Sequence, residues 1–306
     1  MTAIEREIRE IPPLTARESS LLNLHSVLNV LNVLIGELTL LGHTLAEDDE
    51  LLEPATQLCW DFQRDLMNPE VALEHARSLP AFHAKIQGFI QTALAQHPAR
   101  ATTDDVRESL DNIESVFAIF EVRAREILAR AQAPDAWLEV PVEELRRDFQ
   151  EVFAAIEKNS HGRYRIIYNL ARQQPADYYI DFVIESDSGS TVALPLLFKD
   201  IMRDLLANAR KYTAPGGTIN AGLHETETCL RFSVQDTGCG IPADEIDTIV
   251  HYGKRGSNVG HVRTLGGGFG LTKAFLVTKQ FGGRFWIRSE LSKGTRIRIE
   301  IPRPKA

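Results

Sequence analysis

KDIMRDLLANARKYT, residues 199–213, is the stretch that decides how the chain is read. Ile201, Leu205 and Leu206 recur at helical spacing, which predicts an amphipathic helix and sets Asp204, Asn208 and Lys211 on another face. The amide oxygen of Asn208 is a hard donor suited to Mg²⁺, an ion that completes its octahedron with waters and phosphate oxygens rather than with a protein cage. Lys211 is then placed to meet those phosphate oxygens.

Two further pieces continue the same chemistry. The alternating run LRFSVQ, residues 230–235, predicts a strand, and DTGCGIP, residues 236–242, follows it directly. A carboxylate at a strand end, here Asp236, can accept a bond from an exocyclic amino group, while Gly238 and Gly240, lacking Cβ, let a flat base approach the backbone. The third piece is GGGFGL, residues 266–271, ahead of a helical pattern over 272–281. Glycines that open a helix leave backbone N–H groups and the positive dipole end facing an anion, and phosphate is the natural guest.

In this order, on these elements, the three pieces resemble the N, G1 and G2 boxes of the catalytic domain of sensor histidine kinases. More distantly they are similar to Hsp90, gyrase B and MutL type ATPases, the GHKL group. The resemblance covers residues 136–302, including the closing FGGRFWIRS (281–289) and GTRIRIEIP (294–302). It implies an α/β sandwich of the Bergerat type that takes ATP and Mg²⁺. The implied nucleotide contacts are Asn208, Lys211, Tyr212, Asp236, Gly238 and Gly240, then Gly266, Gly268, Gly270, Leu271 and Thr272. The metal falls to Asn208, and Tyr212 stacks on adenine. The basic, glycine-punctuated stretch 247–265, with Lys254, Arg255, His261 and Arg263, corresponds to the family's mobile ATP lid.

Composition agrees with a soluble globular protein of two domains. The chain has 306 residues, is 43% hydrophobic and carries a net charge of −8. That acidity argues against a general nucleic-acid binder, which needs a basic face to displace counterions. Cys59, Cys229 and Cys239 have neither disulfide-framework nor C-x-x-C spacing, consistent with a reducing cytoplasm. The N-terminus is too charged for a secretory signal, and the apolar run 21–45 is interrupted by Asn23, His25, Asn29, Asn32, Glu37 and His43, so no membrane span is expected.

Ahead of the boxes, Thr15 with Glu18 forms the pattern of a helix-starting capping box. Leu21, Leu24, Leu28, Leu31, Ile35, Leu38, Gly42 and Leu45 then step by three and four, the seam of a coiled coil or four-helix bundle. His25 and Asn29 lie on a stripe beside it. The stretch LHSVLNVLNVLIGEL, residues 24–38, resembles the H-box helix of the kinase dimerisation and phosphoacceptor domain, with Gly36 at the family's spacing. A second seam, Val106, Leu110, Ile113, Phe117, Phe120, Ala124, Ile127 and Ala131, starts after Thr102 or Thr103. The insert 46–100 is long for this family and reads as three helices over 61–67, 69–79 and 80–94.

The expected fold is α+β and multidomain. Residues 1–17 form a tail, 18–134 a helical hairpin that pairs with a second copy into a dimeric four-helix bundle, and 135–306 the catalytic sandwich, joined at Ala133-Pro134-Asp135. Strands are expected over 137–140, 163–168, 178–185 and 191–194, and a helix over 142–158. The resemblance implies phosphoryl transfer from ATP to His25, with Lys211 meeting the phosphates, and then to an aspartate of a response-regulator receiver domain, while the Asn29 amide would orient water for dephosphorylating that regulator. A separate sensor protein is a further expected partner. Two positions depart from the family: Ser26 stands where an acid normally follows the histidine, and Asp204 where asparagine is frequent. The alternatives are a regulator phosphatase or nucleotide-gated scaffold, and an ATPase of the wider group.

Overall fold

The protein is described by a computed structural model covering residues 4–66, 68–158, 162–260 and 267–304. Its chain divides into two compact units, residues 14–134 and residues 1–13 with 135–306. A short strand, β1 (Ile4–Ile8), precedes the helical unit of α1 (Ala16–Ala46), α2 (Glu53–Asp65), α3 (Pro69–Arg77), α4 (Leu79–Gln96) and α5 (Asp104–Gln132).

Local chemistry sets the ends of these helices. Thr15 Oγ1 accepts from the Glu18 backbone N–H at 3.2 Å while Glu18 Oε2 accepts from the Thr15 N–H at 2.8 Å, the reciprocal capping box expected. Thr103 occupies the N-cap of α5, yet its hydroxyl donates to the Arg100 carbonyl instead of capping the helix. The first insert helix begins at Glu53, earlier than its pattern indicated, because Pro54 sits comfortably in a first helical turn.

The buried row on α1 runs Leu24, Val27, Leu31, Leu34, Leu38, Leu41 and Leu45. It shares Leu24, Leu31, Leu38 and Leu45 with the expected seam but takes Val27, Leu34 and Leu41 in place of Leu28, Ile35 and Gly42. Cys59 and Phe62 of α2, Phe82, Ile86 and Ile90 of α4, and Ile113, Phe117 and Phe120 of α5 join them in one core. The insert therefore covers within one chain the apolar seams that were expected to close against a second copy. The stretch Val27–Ala46 is, contrary to expectation, long and apolar enough by length and composition to cross a bilayer. Here its leucines 31, 34, 38, 41 and 45 are buried among the other helices.

The second unit contains β2 (Trp137–Pro141), α6 (Val142–Lys158), β3 (Ile166–Ile167), β4 (Tyr178–Ser186), β5 (Thr191–Pro195), α7 (Phe198–Lys211), β6 (Thr218–Glu225), β7 (Cys229–Asp236), α8 (Gly270–Gln280), β8 (Arg284–Glu290) and β9 (Gly294–Pro302). Seven strands form a mixed sheet in the order β1-β8-β9-β7-β6-β4-β3, and β2 with β5 makes a separate antiparallel ribbon. Alternation decides which face is buried: Ile219, Ala221 and Leu223 of β6, Leu230, Phe232 and Val234 of β7, and Ile297, Ile299 and Ile301 of β9 point into the core. Phe149 and Phe153 of α6, Ile201 and Leu205 of α7, and Ala274 and Phe275 of α8 complete that core.

Two local differences from the sequence reading have clear causes. Residues 4–8, expected as tail, add an antiparallel edge strand to β8, held by a two-pronged Arg284–Glu7 pair at 2.9 and 2.7 Å and by Arg6–Asp247 at 2.8 Å. The strand expected over 163–168 shrinks to Ile166–Ile167. Its Ile166 N–H donates to Glu157 Oε2 at 2.6 Å, and Arg165 is turned to clasp the buried Asp177. Asn169 then caps a short 3₁₀ turn at Leu170–Arg172.

Candidate nucleotide site

The sheet unit brings the three sequence pieces together. Helix α7 ends at Lys211, and the G1 turn leaves β7 beside that end: the Cys239 N–H donates to the Tyr212 carbonyl at 3.1 Å. A Cβ on Gly238 would overlap that same carbonyl, so only glycine lets the turn approach α7 so closely. Helix α8 meets α7 in the same way, since a Cβ on Gly270 would lie 2.7 Å from Asn208 Nδ2. Asn208 thus stands between the G1 turn's neighbour Tyr212 and the opening of the G2 helix.

Asp236 is the buried acid of this region. Its Oδ1 accepts from the Gly238 N–H at 2.8 Å and from the Thr295 N–H at 3.2 Å. Burial raises its pKa to about 6, with those two backbone bonds opposing the rise. Both of these bonds fall on Oδ1, which suits Oδ2 to an amino donor. Lys211 is shifted the other way, down to about 8, by burial first and then by the nearby Arg255 and Arg210. Its Nζ lies 5.0 Å from the centre of the Tyr212 ring. Cations crowded at a half-buried place favour an arriving anion, which removes their mutual repulsion.

The opening turn of α8 completes the anion chemistry. Phe269 is the N-cap and makes no side-chain cap bond, and the Lys273 N–H to the Phe269 carbonyl is the first bond of the helix, at 2.9 Å. The N–H groups of Gly270, Leu271 and Thr272 lie in the first turn, where a helix start offers donors to an outside acceptor. Gly268 lies in the turn just before, against the carbonyls of Gly253 and Lys254. Asn258, in the following segment, donates to the Gly240 carbonyl at 2.9 Å and so ties the lid stretch to the G1 turn.

A model of the family described as histidine kinase-, DNA gyrase B-, and HSP90-like ATPase matches residues 193–305. The adaptive-response sensory kinase SasA of Synechococcus elongatus is 28% identical over 264 residues, which are 84% of this chain and 61% of that protein. The aerobic respiration control sensor protein ArcB of Escherichia coli is 33% identical over 108 residues, 35% of this chain and 14% of its own length. Residues 193–305 carry the histidine kinase-, DNA gyrase B-, and HSP90-like ATPase domain, and the relatives that the chain resembles are sensor kinases. A domain of this kind is ATP-binding. The catalytic domain of histidine kinase ThkA, a solved structure, is 24% identical, with a TM-score of 0.39 and coverage of 55% of this chain and 95% of that one. The chain spans 61% of the Synechococcus protein and 29% of a SasA from Nostoc.

Within this domain, Asn208, Lys211, Tyr212, Asp236, Gly238, Gly240, Gly268 and Gly270 gather around the ends of α7, β7 and α8. Leu271 is half-buried against the core, and Thr272 is fully buried with its hydroxyl unpartnered among the described residues, so Thr272 contributes through the backbone or through packing. Gly266, His261 and Arg263 lie outside the described residues. His25 and Ser26 fall on α1, with side chains outside the described part, and Asn29 is half-buried on that helix. Sequence reading missed Gly294 and Thr295: a Cβ on Gly294 would overlap the Asp236 carbonyl, and Thr295 holds the Asp236 carboxylate. Both lie in the quoted GTRIRIEIP strand, but nothing local in that run announces a role beside Asp236.

Proposed function

We propose that this chain is a histidine-kinase-type phosphotransferase that binds Mg-ATP in the α7–β7–α8 site, transfers phosphoryl to His25 and passes it to a receiver-domain aspartate. The observation that carries the reading is the convergence of Asn208, Asp236 and the open N-terminus of α8 at one end of the sheet unit. In it, Asp236 Oδ2 accepts the adenine amino group, Tyr212 flanks the base, and Lys211 with the first N–H groups of α8 neutralises phosphate charge. The chemistry of Asn208 fits Mg²⁺, which when bound would draw charge from the phosphate oxygens. Alignment and charge neutralisation are what phosphoryl transfer asks of a protein, and these side chains provide both.

His25 then serves as acceptor through a neutral ring nitrogen, with Ser26 beside it instead of a carboxylate. A hydroxyl is no effective base near neutral pH, so slow transfer is the expected behaviour. Asn29, one turn further on, has the amide chemistry to orient water for removing phosphoryl from a regulator. The test is incubation with γ-labelled ATP and magnesium followed by acid and base treatment of the labelled chain. Acid-labile, base-stable label that disappears in His25→Ala supports the reading. Proven ATP binding without label, in both the original chain and Ser26→Glu, replaces it with a regulator phosphatase or nucleotide-gated scaffold.

A homodimer is part of the proposal, and the surface left for it is specific. With the seams covered by the insert, Val33 (42% exposed), Leu40 (51%), Ile119 (50%) and Val122 (40%) remain as apolar side chains on the outer faces of α1 and α5. Asn112 Nδ2 donates to Glu37 Oε2 at 3.4 Å, which joins the two faces. Helical spacing puts Val33 and Leu40 beside Glu37, and Ile119 two turns on from Asn112 along the same face. Single exposed apolar residues are ordinary, whereas a two-helix stripe of them is a reason to pair.

A further inference from the structure

Helices α7 and α8 are joined by two rungs about one turn apart. In the first, Gly270 of α8 packs on Asn208 of α7. In the second, three residues further along α8, the Lys273 ammonium donates to Asp204 Oδ2 at 3.2 Å and lies 3.7 Å from Asp200 Oδ2. The two helices run in opposite directions across these rungs, so Asp204 stands one turn, about 6 Å of rise, from the proposed metal ligand Asn208. The Asp204 side chain is 38% exposed and open to water, whereas those of Lys273 and Asp200 are 10% and 3% exposed.

A carboxylate one turn from Asn208, open to solvent at the edge of a nucleotide site, has the chemistry of a general base for water. Lys273 is what stands against that use. Its ammonium engages an oxygen with which Asp204 would take a proton from water. A purely structural explanation accounts for the geometry less well. Asp200 is the more deeply buried acid, and it already has Arg203 at 3.6 Å. Were Lys273 there only to neutralise Asp200, its closest approach would be to that group, yet it comes nearest to the more exposed Asp204.

We propose that Lys273 is a positioning residue that locks Asp204 and thereby keeps bound ATP from being hydrolysed, so that the γ-phosphoryl is held for transfer. With the lock removed, Asp204 accepts a proton from water as the water oxygen bonds the γ-phosphorus and the β–γ bridging P–O bond breaks. ADP and inorganic phosphate leave, and Asp204 returns its proton to solvent. The inference rests on the nucleotide-site reading above, and its test separates the two.

Binding of a fluorescent ADP derivative and release of inorganic phosphate from Mg-ATP are measured on the full chain, on Lys273→Met and Lys273→Gln, and on each combined with Asp204→Asn. The expected result is retained binding, a rise in hydrolysis of about tenfold or more in the Lys273 variants, and loss of that rise when Asp204 is also changed. A structural weld would lower activity on removal and could not produce a gain that depends on Asp204. Failure of the unmodified chain to bind the ADP derivative overturns the nucleotide-site reading itself. Binding without a gain in hydrolysis, or a gain that survives Asp204→Asn, overturns the lock alone. Loss of binding in both Lys273 variants, with the original chain binding normally, identifies Lys273 as a structural requirement and likewise overturns it.

Discussion

Asp236→Asn should make the sheet unit more stable while making it a poorer nucleotide binder. The burial that raises the Asp236 pKa to about 6, from an ordinary 3.8, is a penalty on the charged folded state. Two pKa units correspond to about 3 kcal/mol at most, fully present above pH 6. The sign follows from proton counting: between about pH 4 and 6 the folded state holds the proton that the unfolded chain has released, so this group lowers stability as pH rises. At pH 5 about half of the penalty remains, and below pH 4 it is nearly gone. Asparagine keeps an oxygen to accept from the Gly238 and Thr295 N–H groups and carries no charge, so the variant escapes the penalty. Calorimetric unfolding of the full chain would be followed in the transition that added Mg-ADP shifts upward. The variant's stability gain should be about twice as large at pH 7.5 as at pH 5, with its Mg-ADP shift diminished because an amide NH₂ faces the adenine amino group. Equal stability at pH 7.5, or a gain independent of pH, would refute the claim that a charged, desolvated Asp236 is held ready for a base.

Nucleotide affinity should be greatest between about pH 6 and 8: below it Asp236 protonates, above it the Lys211 ammonium, lowered to about 8 by burial and neighbouring cations, is lost, and titration calorimetry across pH 5–9 reads both limbs. Gly270→Ala should weaken Mg-ADP binding by about tenfold, because its Cβ would displace Asn208, and an affinity equal to the original's would contradict the contact between α8 and the proposed metal ligand. Asn208→Ala should remove the magnesium dependence of binding, as compared by calorimetry with and without the ion. Leu31→Ala should cost the helical unit about 2–5 kcal/mol by chemical denaturation since Leu31 is wholly buried, whereas Leu40→Asp with Ile119→Asp should leave the fold intact and yield monomers by light scattering.

What could be read in the sequence was set by how local each signal is. Asn208, Asp236 and the glycines around 270 sit within a few residues of the element ends that aim them, so spacing and residue type were enough to propose them, and the fold sets them near one another. The Thr15–Glu18 box is a contact between residues three apart and was legible for the same reason. Lys273 and Asp204 are separated by 69 positions, and no periodicity relates them. Strand β1 was hidden because IEREI reads as a charged tail, and its reason to be a strand, the pairing of Glu7 with Arg284, comes from 277 residues away. The expected strand over 163–168 failed through side chains, Glu157 and Asp177, that compete for its backbone and its arginine.

The helical unit carries the same lesson into function. A heptad pattern tells that α1 and α5 need apolar partners, not whose helices supply them. Leu31, Leu34, Leu38 and Leu41 are satisfied by Phe62, Phe82, Ile86 and Phe117 of the same chain, so the hydrophobic drive that would make a bare hairpin dimerise has largely been met before a second copy arrives. What remains for pairing is the thinner stripe of Val33, Leu40, Ile119 and Val122, interrupted by the polar contact of Glu37 with Asn112. Association through such a surface gains less per residue and has the full loss of translational and rotational freedom against it, so it should be weaker and more dependent on concentration than a shared core would be. A kinase whose acceptor histidine lies on α1 would then have its pairing, and any transfer between copies, set by protein concentration or by a partner that covers the same stripe.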